Sequence, residues 1–397
     1  MERATQHELQ LARRMSRLGT ETAFEVLNKA RALERQGKSI IHLEIGEPDF
    51  DTPANVVEAG VDALRKGWTH YGPSAGLPEL RQTLAEYVSR TRGVKVTSDE
   101  VVVVPGGKPI IFFTTLSLID EGDEVIYPNP GFPIYESMIR YVGGRAVPVQ
   151  LREECDFSLD VNELTALISD RTRLIILNSP QNPTGGVMNR GDIEQVAKII
   201  GDRNIMVLSD EIYSRLLFDG AQHFSIMSVP GMQERTILLD GFSKTYAMTG
   251  WRMGYGVMRA DLAAHMTRLM TNSNSCTASF TQVAGVEAIK GDQSSVDHMR
   301  DEFQRRRDVV VAGLNKIKGF SCRMPKGAFY VFPNTSKTGW KSKPLADALL
   351  EQAGVAALSG TSFGEFGEGY LRFSVANSME NLQLALERID QWTKKNL

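Results

Sequence analysis

Short apolar runs, each bounded by Gly, Pro or a polar turn, recur through the middle of the chain: Val101–Val104, Glu124–Tyr127, Arg145–Gln150, Leu174–Leu177, Ile205–Leu208, Thr236–Leu239 and Met253–Val257. Between several of them lie stretches with apolar residues at helical spacing: Pro78–Arg90, Lys108–Leu118, Asp192–Ile200 and a segment around Asp261–Asn272. Continuous apolar strands alternating with amphipathic helices are strands buried on both faces. The pattern predicts an α/β fold whose large domain holds a mostly parallel sheet of seven strands covered by helices.

The two ends of the chain read differently. Phe24, Leu27, Ala30 and Leu33 mark a helix running to Arg35 and stopped by Gly37, and Ile40–Ile45 reads as a strand. Thr52-Pro53 reads as a helix start, with Thr as the cap and Pro in the first turn, and the helix runs to about Lys66. Late in the chain come a long charged helix (Val296–Ile317), a strand (Lys326–Phe332), a helix (Leu345–Ala353) stopped by Gly354, a strand (Tyr370–Val375) and an amphipathic helix over 379–395. Neither end supplies a core of its own, so the two are expected to form one smaller α+β domain. The expected division is 1–50 for an N-terminal arm and part of the small domain, 51–290 for the large domain, and 291–397 for the rest of the small one.

Composition narrows the class. The chain has 397 residues, 42% hydrophobic and 23% charged, which suits a globular protein with more than one domain. A net charge of -3, with no basic run, argues against a general nucleic-acid binder. No apolar run approaches the ~20 residues of a membrane span. The segment Glu2–Arg14 has no apolar core behind its positive charges, so it reads as a helical or flexible arm rather than a secretory leader. Cys155, Cys276 and Cys322 lie far apart, show no metal-ligand spacing and cannot all pair, which points to a reduced, cytoplasmic setting.

An open parallel sheet binds ligands at the carboxyl ends of its strands. Those ends carry a consistent set of groups. Val101–Val104 leads into Gly106-Gly107-Lys108, a small-residue turn before a helix that lets an anion approach backbone N–H groups. Glu124–Tyr127 leads to Phe132, an aromatic able to stack on a flat ring or to pack in the core. Leu174–Leu177 leads to Asn182, an amide fixed between prolines, or an ordinary turn asparagine. Ile205–Leu208 leads to Asp210, a carboxylate that needs a cationic partner, and Tyr213. Thr236–Leu239 leads to Ser243-Lys244, with Arg252 close behind: a lysine on a turn, poised to lose its proton and attack a carbonyl, beside two groups that hold phosphate. Arg372, inside an otherwise apolar strand, has the planar fork that grips a carboxylate.

Taken together, Gly46-Glu-Pro-Asp-Phe50, Tyr71-Gly-Pro-Ser-Ala-Gly-Leu77, Asn182-Pro-Thr-Gly185, Ser209-Asp-Glu-Ile-Tyr213, Ser243-Lys-Thr-Tyr-Ala-Met-Thr-Gly-Trp-Arg252 and Arg372-Phe-Ser resemble the fold type I, class I pyridoxal-phosphate aminotransferases, and most closely a bacterial aspartate-aminotransferase-like subgroup. The resemblance runs from about Met15 to the chain end. It implies pyridoxal 5'-phosphate on Lys244 as a Schiff base, Asp210 on the pyridine nitrogen, Tyr213 and Asn182 on the ring oxygen, and Phe132 stacked on the ring. It places the phosphate on Gly106, Gly107, Lys108, Ser243 and Arg252. It places the substrate α-carboxylate on Arg372, with Asn182 beside it and the Gly46 backbone near. It matches Tyr71 to a tyrosine that reaches the partner subunit's phosphate, which implies a homodimer with shared sites.

The reaction expected from the resemblance is transfer of the α-amino group of an L-amino acid to a 2-oxo acid such as 2-oxoglutarate by a ping-pong scheme. A β-eliminating carbon–sulfur lyase on the same scaffold is the alternative. The donor is less legible. Thr271–Phe280 contains no cation for a distal carboxylate, nor does the helix after Lys108, where Pro109 replaces a commoner glutamine or alanine. Arg13, Arg14 and Arg17 of the arm are the remaining candidates, and a neutral or aromatic donor stands beside an aspartate-like one.

Overall fold

Twelve strands organise the chain in a computed structural model that describes residues 9–397. They are β1 (Ile41–His42), β2 (Val101–Val104), β3 (Glu124–Asn129), β4 (Arg145–Gln150), β5 (Thr172–Asn178), β6 (Met206–Asp210), β7 (Thr236–Gly241), β8 (Gly254–Val257), β9 (Tyr330–Val331), β10 (Val355–Ala356), β11 (Leu358–Ser359) and β12 (Leu371–Ser374). The part of the arm before Leu9 lies outside the described residues.

Seven strands form the central sheet in the order β2-β8-β7-β6-β5-β3-β4. The predicted α/β class with a mostly parallel sheet is what the chain adopts: β8 alone runs antiparallel to its two neighbours. Alternation along each strand divides the core. Val101 and Val103 pack with Leu80, Leu84 and Val88 of the helix Pro78–Arg92 on one face. Val102 and Val104 pack with Ile110 and Ile111 of the helix Lys108–Leu118 on the other. Leu174 and Ile176 of β5 share that second cluster, while Ile175 and Leu177 face a third. Burial on both faces is why these strands read as unbroken apolar runs.

The chain ends meet as expected. β1 pairs in parallel with β10, tying Ile41 to Val355 across most of the sequence. The antiparallel sheet β11-β12-β9 and the helices Ser294–Leu314, Ser342–Ala348 and Met379–Asn396 enclose a core that includes Phe303, Phe329, Phe373 and Trp392.

Several elements differ from expectation. The Ile40–Ile45 strand shortens to Ile41–His42. The strand over Lys326–Phe332 shortens to Tyr330–Val331, because Ala328 takes a left-handed φ of 57°. Thr52 does not cap a helix. Pro53 holds that position, and the Thr52 hydroxyl donates to Ala247 O at 2.8 Å and accepts from Trp251 Nε1 at 3.0 Å. Helices Ile134–Val142, Val161–Leu167 and Ser279–Lys290 are additional.

Candidate active site

The carboxyl ends of β5, β6 and β7 lie side by side, with Asn178 opposite Asp210 and Asp210 opposite Leu239 in the strand register. Asn178 at the end of β5 anchors both the neighbouring strand and the next turn of the chain. Its side-chain amide donates to Asp210 O at 3.1 Å, and its side-chain oxygen accepts from Asn182 N at 3.0 Å. Below the site, Arg92 ties β6 to β7: its Nε donates to Glu211 Oε2 at 2.7 Å and its terminal nitrogen reaches Asp240 Oδ2 at 3.4 Å.

β7 ends at Gly241 and turns into a short helix, Phe242–Thr245, that carries Lys244. The Lys244 ammonium donates to Gly46 O. It is half-buried and lines a pocket. Burial, with help from the charges of Arg372 and Arg252, brings its pKa down from 10.5 to about 8, against an opposing pull from Glu47 and Glu21. A lowered pKa eases loss of the proton, which a nucleophilic or proton-abstracting lysine needs.

Asp210 is 5% exposed and forms no ion pair among the described residues. Tyr135 donates to its Oδ2 at 2.6 Å and Ile212 N to its Oδ1 at 3.2 Å. Burial raises its pKa from 3.8 to about 6 despite those two bonds. Arg372 on β12 is the opposite case. It is 4% exposed, donates to Asn182 Oδ1 at 3.1 Å and to Glu44 O, and lies 4.4 Å from the Tyr330 ring centroid. Its Nε has no partner, and it pairs with no carboxylate among the described residues. A buried acid without a cation and a buried guanidinium without an anion are costly unless a ligand supplies both.

The glycine turn is built for close approach. Gly106 has a φ of 84°, and a Cβ there would run into the Arg252 guanidinium. Arg252 itself takes a left-handed φ of 54° at the pocket rim and donates to Thr249 O at 2.7 Å. Gly107, Lys108, Ser243 and Arg252 all line the pocket. The Lys108 ammonium, however, is paired with Glu21, so the turn offers mainly the backbone at the start of its helix.

The pocket brings together Gly46, Gly107, Lys108, Phe132, Asn182, Asp210, Tyr213, Ser243, Lys244, Arg252 and Arg372, while Gly106 is off its lining. Tyr71 is not among them: it stands 90% exposed on the surface of the chain. Nor do Arg13, Arg14 or Arg17 reach the pocket; their short helix is fully solvated, and Arg17 bonds Tyr141 O instead. Sequence reasoning missed three site groups. Tyr330 shares a 2.8 Å hydroxyl contact with Tyr213. Tyr135 sits one helical turn past Phe132, and the need of Asp210 for a donor is the signal for it. Asn178, a polar residue closing an apolar strand, is visible in the pattern.

Comparisons with known proteins show the family. Residues 38–389 match the family described as aminotransferase class I and II. The chain is 42% identical to the aspartate aminotransferase of Pyrococcus horikoshii, over 92% of this chain and 93% of that one. It is 38% identical to the aromatic-amino-acid aminotransferase 2 of Thermococcus litoralis, over 90% and 92% respectively. The solved aspartate aminotransferase from Thermus thermophilus with maleate superposes with a TM-score of 0.93 at 38% identity, covering 97% of this chain and 100% of that one. The protein is an aminotransferase, and it belongs to the class I and II aminotransferase family.

Proposed function

We propose that this aminotransferase works on pyridoxal 5'-phosphate held at Lys244, and that Arg372 fixes the α-carboxylate of its amino-acid substrate. One observation carries the reading: a single pocket holds a buried carboxylate lacking a cation, a buried guanidinium lacking an anion, and a lysine with a lowered pKa. A pyridinium, a substrate carboxylate and an aldehyde carbon answer these three. When bound, the cofactor supplies an electron sink for the bonds at the substrate Cα.

The chain's own residues do the rest. The carboxylate of Asp210, oriented by Tyr135, keeps the ring nitrogen protonated. Tyr213 and Asn182 would donate to the ring oxygen, and Phe132 would cover the ring. The backbone of Gly106, Gly107 and Lys108, with Ser243 and Arg252, receives the phosphate. Arg372 orients the substrate so that its Cα–H faces Lys244. With the cofactor bound, the Lys244 amine would take the proton from the substrate Cα and give it back during the amino transfer, in a ping-pong sequence completed by a 2-oxo acid such as 2-oxoglutarate.

The donor is aspartate-like or a neutral or aromatic amino acid, matching the range of the relatives' names. Those names give no support to the β-elimination alternative. We place the division between large and small domains near residues 50 and 290, and the enzyme in the cytoplasm; among the described residues no helix is long and apolar enough to cross a membrane. A homodimer is supported by the surface around Tyr71. Leu64, Trp68 and Tyr71 are 46%, 41% and 90% exposed, and Leu64 lines a surface cavity together with Arg252. Tyr71 of each subunit would thus serve its partner's phosphate site.

Borohydride reduction of the purified protein, followed by peptide mass analysis, tests the reading. A phosphopyridoxyl group on the peptide containing Lys244 is expected. A modified peptide without Lys244, or none, would refute it.

A further inference from the structure

Each cation in the pocket but one has a place in the proposed chemistry. The exception is the side chain of Lys108, which is engaged by Glu21. Glu21 holds the N-cap position of the helix Thr22–Arg35, yet its side chain caps nothing there. Glutamate is not among the residues that cap helices well, so the local helix gives no reason for it. The pocket does. The Glu21 side chain is only 18% exposed, it lines the pocket, and its charge bears on Lys244, Tyr330 and Arg372.

Once Arg372 holds the substrate's α-carboxylate and Lys244 faces its Cα, the walls left for its side chain are apolar. They are Ala23, Phe24, Ile45 and Ile111. The charged feature between them is the Glu21–Lys108 pair. Phe132 packs under that pair, with the Lys108 ammonium 5.7 Å from its ring centroid. Of the other acids on the lining, Glu47 accepts from the Thr249 hydroxyl and Asp210 accepts from Tyr135.

We propose that Glu21 is a specificity-determining residue: by holding Lys108 in an ion pair it sets the side-chain subsite against a second carboxylate and in favour of uncharged and aromatic side chains. A dicarboxylic substrate must draw Lys108 off Glu21 and then sit beside the Glu21 carboxylate, and a like-charge contact of that kind weighs against binding. An uncharged side chain leaves the pair intact and packs on the apolar walls. This inference rests on the transamination reading of the same pocket.

The test compares holoenzyme with Glu21→Gln. The donor half-reaction is followed with aspartate, phenylalanine and alanine, alanine serving as the reference without a distal group. The aspartate-to-phenylalanine ratio of kcat/KM is expected to rise about tenfold or more in Glu21→Gln. In Glu21→Gln/Lys108→Met the gain is expected to vanish, because the released cation is gone. An unchanged ratio in the single variant, or a gain that survives loss of Lys108, overturns the proposal. Calorimetric binding of succinate against 3-phenylpropionate is the second readout and needs no turnover. A shift toward succinate in Glu21→Gln without any amino transfer would contradict the transamination reading alone. Amino transfer with neither ratio moving would contradict the role of Glu21 alone.

Discussion

The Tyr135 hydroxyl donates to Asp210 Oδ2 at 2.6 Å, deep under the pocket, and no cation among the described residues shares that carboxylate. The bond aims the acid and favours its charged form, while burial opposes the charge. Asp210→Asn should therefore lower kcat by about 10²–10³-fold while the protein stays folded, as loss of a preorganised electrostatic partner does. Tyr135→Phe should act through Asp210: its cofactor affinity should fall more steeply than the wild type's as pH drops toward 6. Parallel pH dependences in the two proteins would mean that Tyr135 merely packs.

The same groups predict how stability of the cofactor-free protein depends on pH. Burial raises the Asp210 pKa from 3.8 to about 6, so between those values the folded state binds more protons than the unfolded one. Its contribution to stability is present at low pH and is lost as pH rises through that window. Lys244 falls from 10.5 to about 8, so between those values the folded state binds fewer protons, and stability attributable to Lys244 rises with pH there. Melting temperatures across pH should show each slope reduced in the matching variant, Asp210→Asn for the acid window and Lys244→Met for the alkaline one. Unchanged slopes would mean that neither group titrates as its burial implies.

Gly106→Ala tests the phosphate turn. The left-handed φ of 84° and the approach of Arg252 both exclude a Cβ. The variant should lose more than about 1 kcal/mol of stability, and it should bind cofactor more weakly, as read by denaturant titration and cofactor dissociation. A protein as stable and as tightly loaded as the wild type would show that the turn yields more than its contacts suggest.

These expectations divide along a physical line that also separates what the sequence made legible. Strand ends were visible because strands buried on both faces leave unbroken apolar runs, so the polar residues soon past a run mark the ligand edge of the sheet: Asp210 and Ser243 follow theirs closely, and Asn178, whose role went unread, closes β5 in the same way. Arg372 stood out because a charge within an apolar strand has few uses. What stayed hidden depends on approach in space rather than on chain position. Tyr330 lies 117 residues from the Tyr213 hydroxyl it meets. Glu21 meets Lys108 from 87 residues away, and only the folded chain shows that the arm's contribution to the pocket is this acid rather than Arg13, Arg14 or Arg17. Tyr71 was legible by motif, yet it is exposed and lies off the lining of the pocket in its own chain.

Arg372→Lys isolates the carboxylate clamp. Lysine keeps the charge but not the fork that reaches Asn182 and Glu44 O together. A loss of about 2–5 kcal/mol in transition-state binding is expected for a buried charge contact of this kind, read as kcat/KM for the amino donor. Absorbance of the bound cofactor should be unchanged. Equal losses in cofactor loading would mean that Arg372 supports the fold instead.

The proposed sharing of sites between subunits makes a separate prediction. Tyr71→Ala and Lys244→Ala homodimers should each be nearly inactive. Subunits of the two variants, unfolded together and refolded, should regain activity, because one site of each hybrid carries an intact Tyr71 and an intact Lys244. No recovery, in a mixture shown to contain hybrids, would place Tyr71 outside the partner's site.

The most direct measurement is a half-reaction: the holoenzyme with one amino acid and no 2-oxo acid, the cofactor's absorbance followed in time. The account predicts conversion to the amine form of the cofactor, reversal on adding 2-oxoglutarate, and neither change in Lys244→Ala. An unchanged cofactor spectrum with pyruvate and ammonia accumulating, or full conversion without Lys244, would contradict it.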